Sequence, residues 1–189
     1  MGKGDKGSEF PSAASARANI TAIRTGYLEA AMTDDLHEEI QRLKRRIEDL
    51  ENESQIRAVL NSYGPAVDSN DPAKTSRIYA EDCTVDIDGA WFAHGREETK
   101  NIVTSDVHQS ILPNCAHIMG PYVIRIDGNS AIASGYATIF VRNDGEVNIW
   151  RQSYQCWELV KRDDCWQVLK RVSRSTGRED GHALLQAAL

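Results

Sequence analysis

Of the residues that could move a proton or hold an ion, His117 has the most distinctive surroundings. It stands in Cys115-Ala116-His117-Ile118-Met119, where a run of strand-forming residues begins. An imidazole among apolar neighbours is either a core residue satisfied by a nearby group or an acid–base group in an apolar pocket. With an unperturbed pKa near 6.5, free imidazole is mostly a base at neutral pH and can take a proton from carbon. The other histidines are His37, His94, His108 and His182. No pair has helical metal-ligand spacing, so no metal site is expected. Cys83, Cys115, Cys156 and Cys165 form no Cys-x-x-Cys pair, so reduced thiols in a cytoplasmic protein are expected. There is no Gly-rich phosphate loop and no Gly-x-Ser-x-Gly elbow, so neither nucleotide chemistry nor a serine nucleophile finds support. Asp68 reads by itself as a turn residue or cap ahead of Pro72. Tyr63 reads as a core phenol, and Arg171 as a solvated strand residue or a surface ion pair. Trp91 and Tyr154 read mostly as packing residues, one or two of which could line a pocket for a ring-shaped ligand.

The elements that must position these groups follow from the apolar spacing. Asp34 or Asp35 can cap a helix carrying Leu36, Ile40, Leu43, Ile47 and Leu50, a spacing of four, three, four, three. That seam packs on its own domain or forms a short coiled coil with a partner chain. The stripe restarts at Ile56, Val59, Leu60 and Tyr63, and Gly64-Pro65 predicts a kink or an end. Asp71-Pro72 predicts a short helix over residues 73–80. Residues 83–87 and 91–94 alternate as strands around the Asp88-Gly89 turn, and a helix is predicted from residue 95 to about residue 110. Strands then follow over residues 117–126, 131–142, 147–162 and 166–174. Turns at Asp127-Gly128-Asn129, Asn143-Asp144-Gly145 and Asp163-Asp164 separate them, which makes an antiparallel meander. Helices first and a meander afterwards predict an α+β domain with helices on one face of the sheet. Residues 179–189 have the apolar spacing of a short amphipathic helix.

Composition narrows the partners. The chain has 189 residues, a net charge of −6 and 41% hydrophobic residues, and its pI is about 5.4. An acidic chain argues against nucleic acid or an anionic membrane as partner. No apolar run is long enough to span a bilayer. Residues 1–31 are expected to be an appended or leader segment without order. Within them, Gly7-Ser8-Glu9-Phe10 has the look of residues encoded by joined cloning sites, and Met32-Thr33-Asp34-Asp35 reads as a natural start.

Several motifs, in order, resemble the SnoaL-like group of the nuclear transport factor 2-like superfamily. They are Tyr63-Gly64-Pro65-Ala66-Val67-Asp68, Tyr79-Ala80-Glu81-Asp82, Gly95-Arg96-Glu97-Glu98, His117 at a strand start, Asp127-Gly128-Asn129 and Trp166-Gln167-Val168-Leu169-Lys170-Arg171. Together they cover about residues 36–175. Within the group the sequence is similar to the hexachlorocyclohexane dehydrochlorinases and bile acid 7α-dehydratases. The resemblance implies a cone-shaped α+β barrel, a curved mixed or antiparallel sheet wrapped around N-terminal helices, with a deep apolar pocket. With the apolar spacing it leads to an expected division into an N-terminal amphipathic helix at 32–53, a cone domain at 54–175 and a tail helix at 176–189. It implies that Asp68 orients His117 as general base and that Tyr63 and Arg171 assist a leaving group; beside these, Trp91, Met119 and Tyr154 are expected to line the pocket. The implied activity is a cofactor-free lyase, a dehydratase or dehydrohalogenase, on an apolar small molecule. An isomerase or cyclase using the same pair is one alternative. A non-catalytic assembly module like a dioxygenase β-subunit is the other. Self-association as a dimer or trimer is expected.

Overall fold

A computed structural model describes the backbone of residues 13–188 and the side chains of Met32 and residues 35–186. The expectation for residues 1–12 lies outside the described residues. The chain divides into two compact units, residues 1–48 and 49–189. In the first unit the described backbone is helical. It is the start of α1 (Ala13–Asp68), 56 residues long, which takes in residues 13–31 as well as the predicted seam. Ala, Leu, Arg and Glu, the strong helix formers, dominate this stretch.

In the second unit the C-terminal part of α1 supplies the centre of the core. Ile56, Leu60, Tyr63 and Val67 recur every three or four residues and are 0–2% exposed, which puts them on one helical face. They pack with Trp157, Leu159 and Val168 of the sheet. α1 does not end at Gly64-Pro65 but continues to Asp68. Pro65 can remove only one backbone hydrogen bond, and so near the terminus the helix tolerates that loss. The end is closed instead by Ser69 N–H donating to the Pro65 carbonyl at 3.1 Å and by Asn70 in the left-handed region.

α2 (Pro72–Ser76) is capped by Asp71, whose side chain accepts from Lys74 N–H. It is shorter than predicted because Tyr79 and Ala80 join β1 (Tyr79–Ile87), which pairs in parallel with β6 (Cys165–Ser175). Sheet pairing overrides the local helical preference there. β2 (Trp91–His94) returns antiparallel to β1. The single helix predicted from residue 95 is three pieces: a 3₁₀ turn at Glu97–Lys100, α3 (Asn101–Thr104) and α4 (Asp106–Gln109). Ser105 is extended and its hydroxyl accepts from His108 N–H, so a new N-cap interrupts the helix.

β3 (Cys115–Asp127), β4 (Ser130–Asn143), β5 (Glu146–Arg162) and β6 form the predicted antiparallel meander. The strand order is β2-β1-β6-β5-β4-β3. The sheet is therefore mixed, with one parallel pair, and the domain is α+β as expected. α5 (Glu179–Ala188) follows β6. Among the described residues no helix is long and apolar enough to cross a membrane.

Candidate active site

α1 and β3 meet at Gly64. A Cβ built there would overlap the carbonyl oxygen of His117, so only glycine lets helix and strand backbones come this close. One helical turn further on, Asp68 faces the same strand. Its Oδ1 lies 2.6 Å from His117 Nδ1, and its Oδ2 accepts the His117 backbone N–H at 2.8 Å. The Cys115 thiol donates to Oδ1 at 3.4 Å. Two groups 49 residues apart are thus joined through ring and backbone together.

This geometry fixes the chemistry of the imidazole. A carboxylate accepts only, so Nδ1 carries a proton, and in the neutral ring the lone pair is on Nε2. Burial pushes the Asp68 carboxyl up, but hydrogen bonds from the His117 ring and backbone outweigh it, and the net direction is downward. Asp68 is therefore a stable anion beside the ring. Burial, followed by the neighbouring Asp68, raises the Cys115 thiol to about 11; it stays a thiol and a donor.

Tyr63 and Asp68 are five residues apart, about 140° around an ideal helix from one face to the other. Both still reach His117 because the ring sits between them. The Tyr63 ring meets the imidazole edge-on with centroids 6.3 Å apart, while Asp68 holds Nδ1.

Arg171 departs from the surface setting that its own residue type suggests. It is 4% exposed, and its guanidinium lies 4.3 Å from the Tyr63 ring centroid and 4.6 Å from that of Trp157. Nε donates to Gln155 Oε1 at 3.1 Å and Nη1 to the Tyr79 hydroxyl at 3.4 Å. Burial opposes its charge, but the Tyr63 and Tyr79 oxygens more than offset this and raise its pKa. Among the described residues no carboxylate pairs with it. A buried cation held by aromatic faces and neutral oxygens keeps its field for whatever enters the cavity.

The cavity itself has a volume of about 330 Å³ and is lined by Tyr63, His117, Arg171, Trp91 and Met119, among others. That is the scale of a small-molecule site. Tyr154 is not among the lining residues. On β5 alternate side chains face opposite ways, and Arg151, Ser153 and Gln155 take the cavity side. Tyr154 instead packs against its cross-strand partner Tyr136, with ring centroids 5.6 Å apart. His94 is exposed and outside the cavity.

Sequence reasoning missed His108, Arg151 and Gln155. His108 is buried on α4 and lines the cavity, with its ring 5.7 Å from that of His117. Its Nδ1 lies 3.1 Å from the Val103 carbonyl, while Nε2 has no partner. A carbonyl only accepts, so Nδ1 holds the proton and Nε2 offers a lone pair. Burial lowers the His108 pKa, which keeps the ring neutral. The available signal was Ser105-Asp106, a cap pair inside an apparent helix that turns His108 inward. For β5 the signal was Arg151-x-Ser153-x-Gln155-x-Trp157, a polar set sharing its face with a buried tryptophan.

Asp68, His108, Cys115 and His117 together place ligand-capable atoms within 4.8 Å of one another. No metal spacing was visible in the sequence because the four come from α1, α4 and β3. The Asp68 oxygens already take three donors, and the Cys115 thiol keeps its proton. Within the cluster Cys115 and His117 are hydrogen-bonded to Asp68, while His108 bonds the Val103 carbonyl instead.

Comparison with known proteins agrees with this architecture. An NTF2-like protein with a cystatin-like fold from Novosphingobium aromaticivorans is 27% identical with a TM-score of 0.73, over 76% of this chain and 95% of that one. The hexachlorocyclohexane dehydrochlorinase LinA-type3 of Novosphingobium barchaimii shares the fold at 14% identity and a TM-score of 0.61, over 69% and 90% of the two chains. A candidate scytalone dehydratase of Novosphingobium aromaticivorans does so at 21% and 0.59, over 68% and 86%. No curated protein matches the chain by sequence. The profile of the SnoaL-like domain matches residues 48–172, the stretch that holds the His–Asp pair, the buried arginine and the sheet between them. The chain belongs to the SnoaL-like family, with the NTF2-like fold.

Proposed function

We propose that the protein is a cofactor-independent lyase that eliminates water or a hydrogen halide from an apolar small molecule. The carrying observation is the 2.6 Å contact between Asp68 and His117 Nδ1 on the wall of a cavity that also contains buried Arg171. His117 Nε2 takes a proton from a substrate carbon. The electrons of that C–H bond become the new double bond, and the leaving group departs from the adjacent carbon with its bonding pair. Asp68 stabilises the imidazolium that forms. Arg171, with Tyr63 beside it, stabilises negative charge on the departing or conjugated oxygen. The dehydrochlorinase and the candidate dehydratase among the fold relatives make elimination the reaction class to test first.

His108 favours dehydration over loss of halide. Its unpartnered Nε2 carries a lone pair that can accept a hydrogen bond, and a substrate hydroxyl supplies a donor where a carbon-bound halogen does not. An isomerase would use the same pair but return the proton to carbon, with His108 beside His117 as a second proton-holding group. Incubation with hydroxylated and halogenated alicyclic compounds, followed by mass spectrometry, separates these reactions. Loss of the mass of water or of HX supports elimination, whereas an unchanged mass with a moved double bond supports isomerisation. His117→Ala is expected to reduce turnover by roughly 10²–10⁴-fold. Full turnover in that variant, or no conversion of any compound by the wild type, counts against an enzyme of this kind.

A further inference from the structure

α1 carries a second apolar stripe besides the one that builds the core. Leu36, Ile40, Leu43, Ile47 and Leu50 are 41–63% exposed, although their spacing makes one continuous seam on a helix. Continuing the seam would require apolar residues at 54 and 57, but Ser54 and Arg57 stand there. The core set Ile56, Leu60, Tyr63 and Val67 keeps the same spacing one residue out of step, so the seam is not simply an extension of it.

We propose that residues 36–50 form a parallel, in-register, two-stranded coiled coil with a second copy of this chain. In heptad terms Ile40 and Ile47 are at a, and Leu36, Leu43 and Leu50 at d. β-branched residues at a with leucine at d are the combination that favours two parallel strands. The flanking charges specify the same partner. Position g holds Glu39 and Arg46, while position e holds Lys44 and Glu51. In a parallel pair each g residue faces the e residue five positions later on the other copy. Glu39 then meets Lys44 and Arg46 meets Glu51, both opposite in sign and each occurring twice by symmetry. An antiparallel pair that keeps residues 40–50 in contact instead opposes Lys44 to Lys44 and Arg46 to Arg46. Among the described residues Lys44, Arg46 and Glu51 make no ion pair within their own chain. Glu39 bonds Arg42 at 2.7 Å on the exposed surface, a contact that leaves room for a second cation. Two and a half heptads are too short to order free peptides, but here the seam lies within one helix whose C-terminal turns are already packed.

Sedimentation equilibrium on the full chain tests this, with far-UV circular dichroism confirming that each variant keeps its helix content. The wild type is expected at twice the mass of Leu43→Asp. Arg46→Glu and Glu51→Arg, each turning two attractive pairs into repulsive ones, are expected to weaken that association by roughly tenfold. The double variant Arg46→Glu/Glu51→Arg is expected to restore it to about the wild-type level. Equal masses for wild type and Leu43→Asp would overturn the proposal, because association, if any, would then run through another surface. A threefold mass ratio would overturn it too. So would insensitivity to the single charge reversals, or failure of the double variant to recover.

Discussion

Asp68 accepts three hydrogen bonds and donates none, so its negative charge is what the surrounding donors are arranged around. Asp68→Asn introduces an amide N–H₂ where two N–H groups and a thiol already point. The His117 ring then loses the acceptor that fixes its tautomer. Turnover is expected to fall by roughly 10²–10⁴-fold with the circular dichroism spectrum unchanged, and steady-state kinetics on the converted substrate would check it. His108 supports a prediction about stability. Its pKa in the folded state lies below the ordinary 6.5 because of burial, so the unfolded chain binds that proton first as pH falls. Stability is therefore fully present above about pH 6.5 and declines as pH drops towards the folded-state value. Urea titrations between pH 8 and 5 should show this decline in the wild type and a flatter profile in His108→Asn. His117 stood out in the sequence by its apolar neighbours at a strand start, but its pairing with Asp68 was implied only by the family resemblance. His108 did not stand out, because its inward direction depends on a helix break that only the Ser105 cap creates.

At the level of elements, the contact between α1 and β3 has the least tolerance. Gly64→Ala would press a methyl group onto the His117 carbonyl, and neither backbone can rotate away as a side chain could. A loss of about 1–3 kcal/mol in unfolding free energy is expected, with a fall in turnover as Asp68 is levered off the ring. Chemical denaturation and kinetics on the same preparation would measure both. The four long strands could be read from alternation and Asx-Gly turns, since hairpin partners are neighbours in sequence. The β1–β6 pairing joins strands from opposite ends of the domain, and no local pattern announces it. The same non-local pairing shortened α2 and drew Tyr79 into the sheet, where its hydroxyl reaches Arg171. Arg171 by its residue type alone pointed to the surface, and only the family resemblance put it in the pocket, for the same reason: its burial is set by partners on β1, β5 and α1 that adjacent sequence does not reveal. Tyr154 illustrates the opposite difficulty. Its strand was correctly read, but which face of β5 turns inward was fixed by Trp157 and Gln155 rather than by the tyrosine.

For the molecule as a whole, every residue lining the cavity belongs to residues 49–189, while the coiled-coil seam lies in residues 36–50. Assembly and chemistry are expected to separate accordingly: Arg46→Glu should change the association constant and leave turnover per chain within about twofold, as paired sedimentation and kinetic measurements would show. The near contact of main chains at positions 64 and 117 has a further consequence. It holds Asp68 and His117 together through the polypeptide itself, independently of how bulky the rest of the hollow is. Trp91 and Met119 can then be exchanged for larger or smaller residues without disturbing that pair. Met119→Ala should alter which compounds bind, seen as changed KM across a ligand series, while kcat for those that still fit stays nearly constant. A scaffold arranged in this way can acquire new substrates by changing its walls while its reaction stays the same.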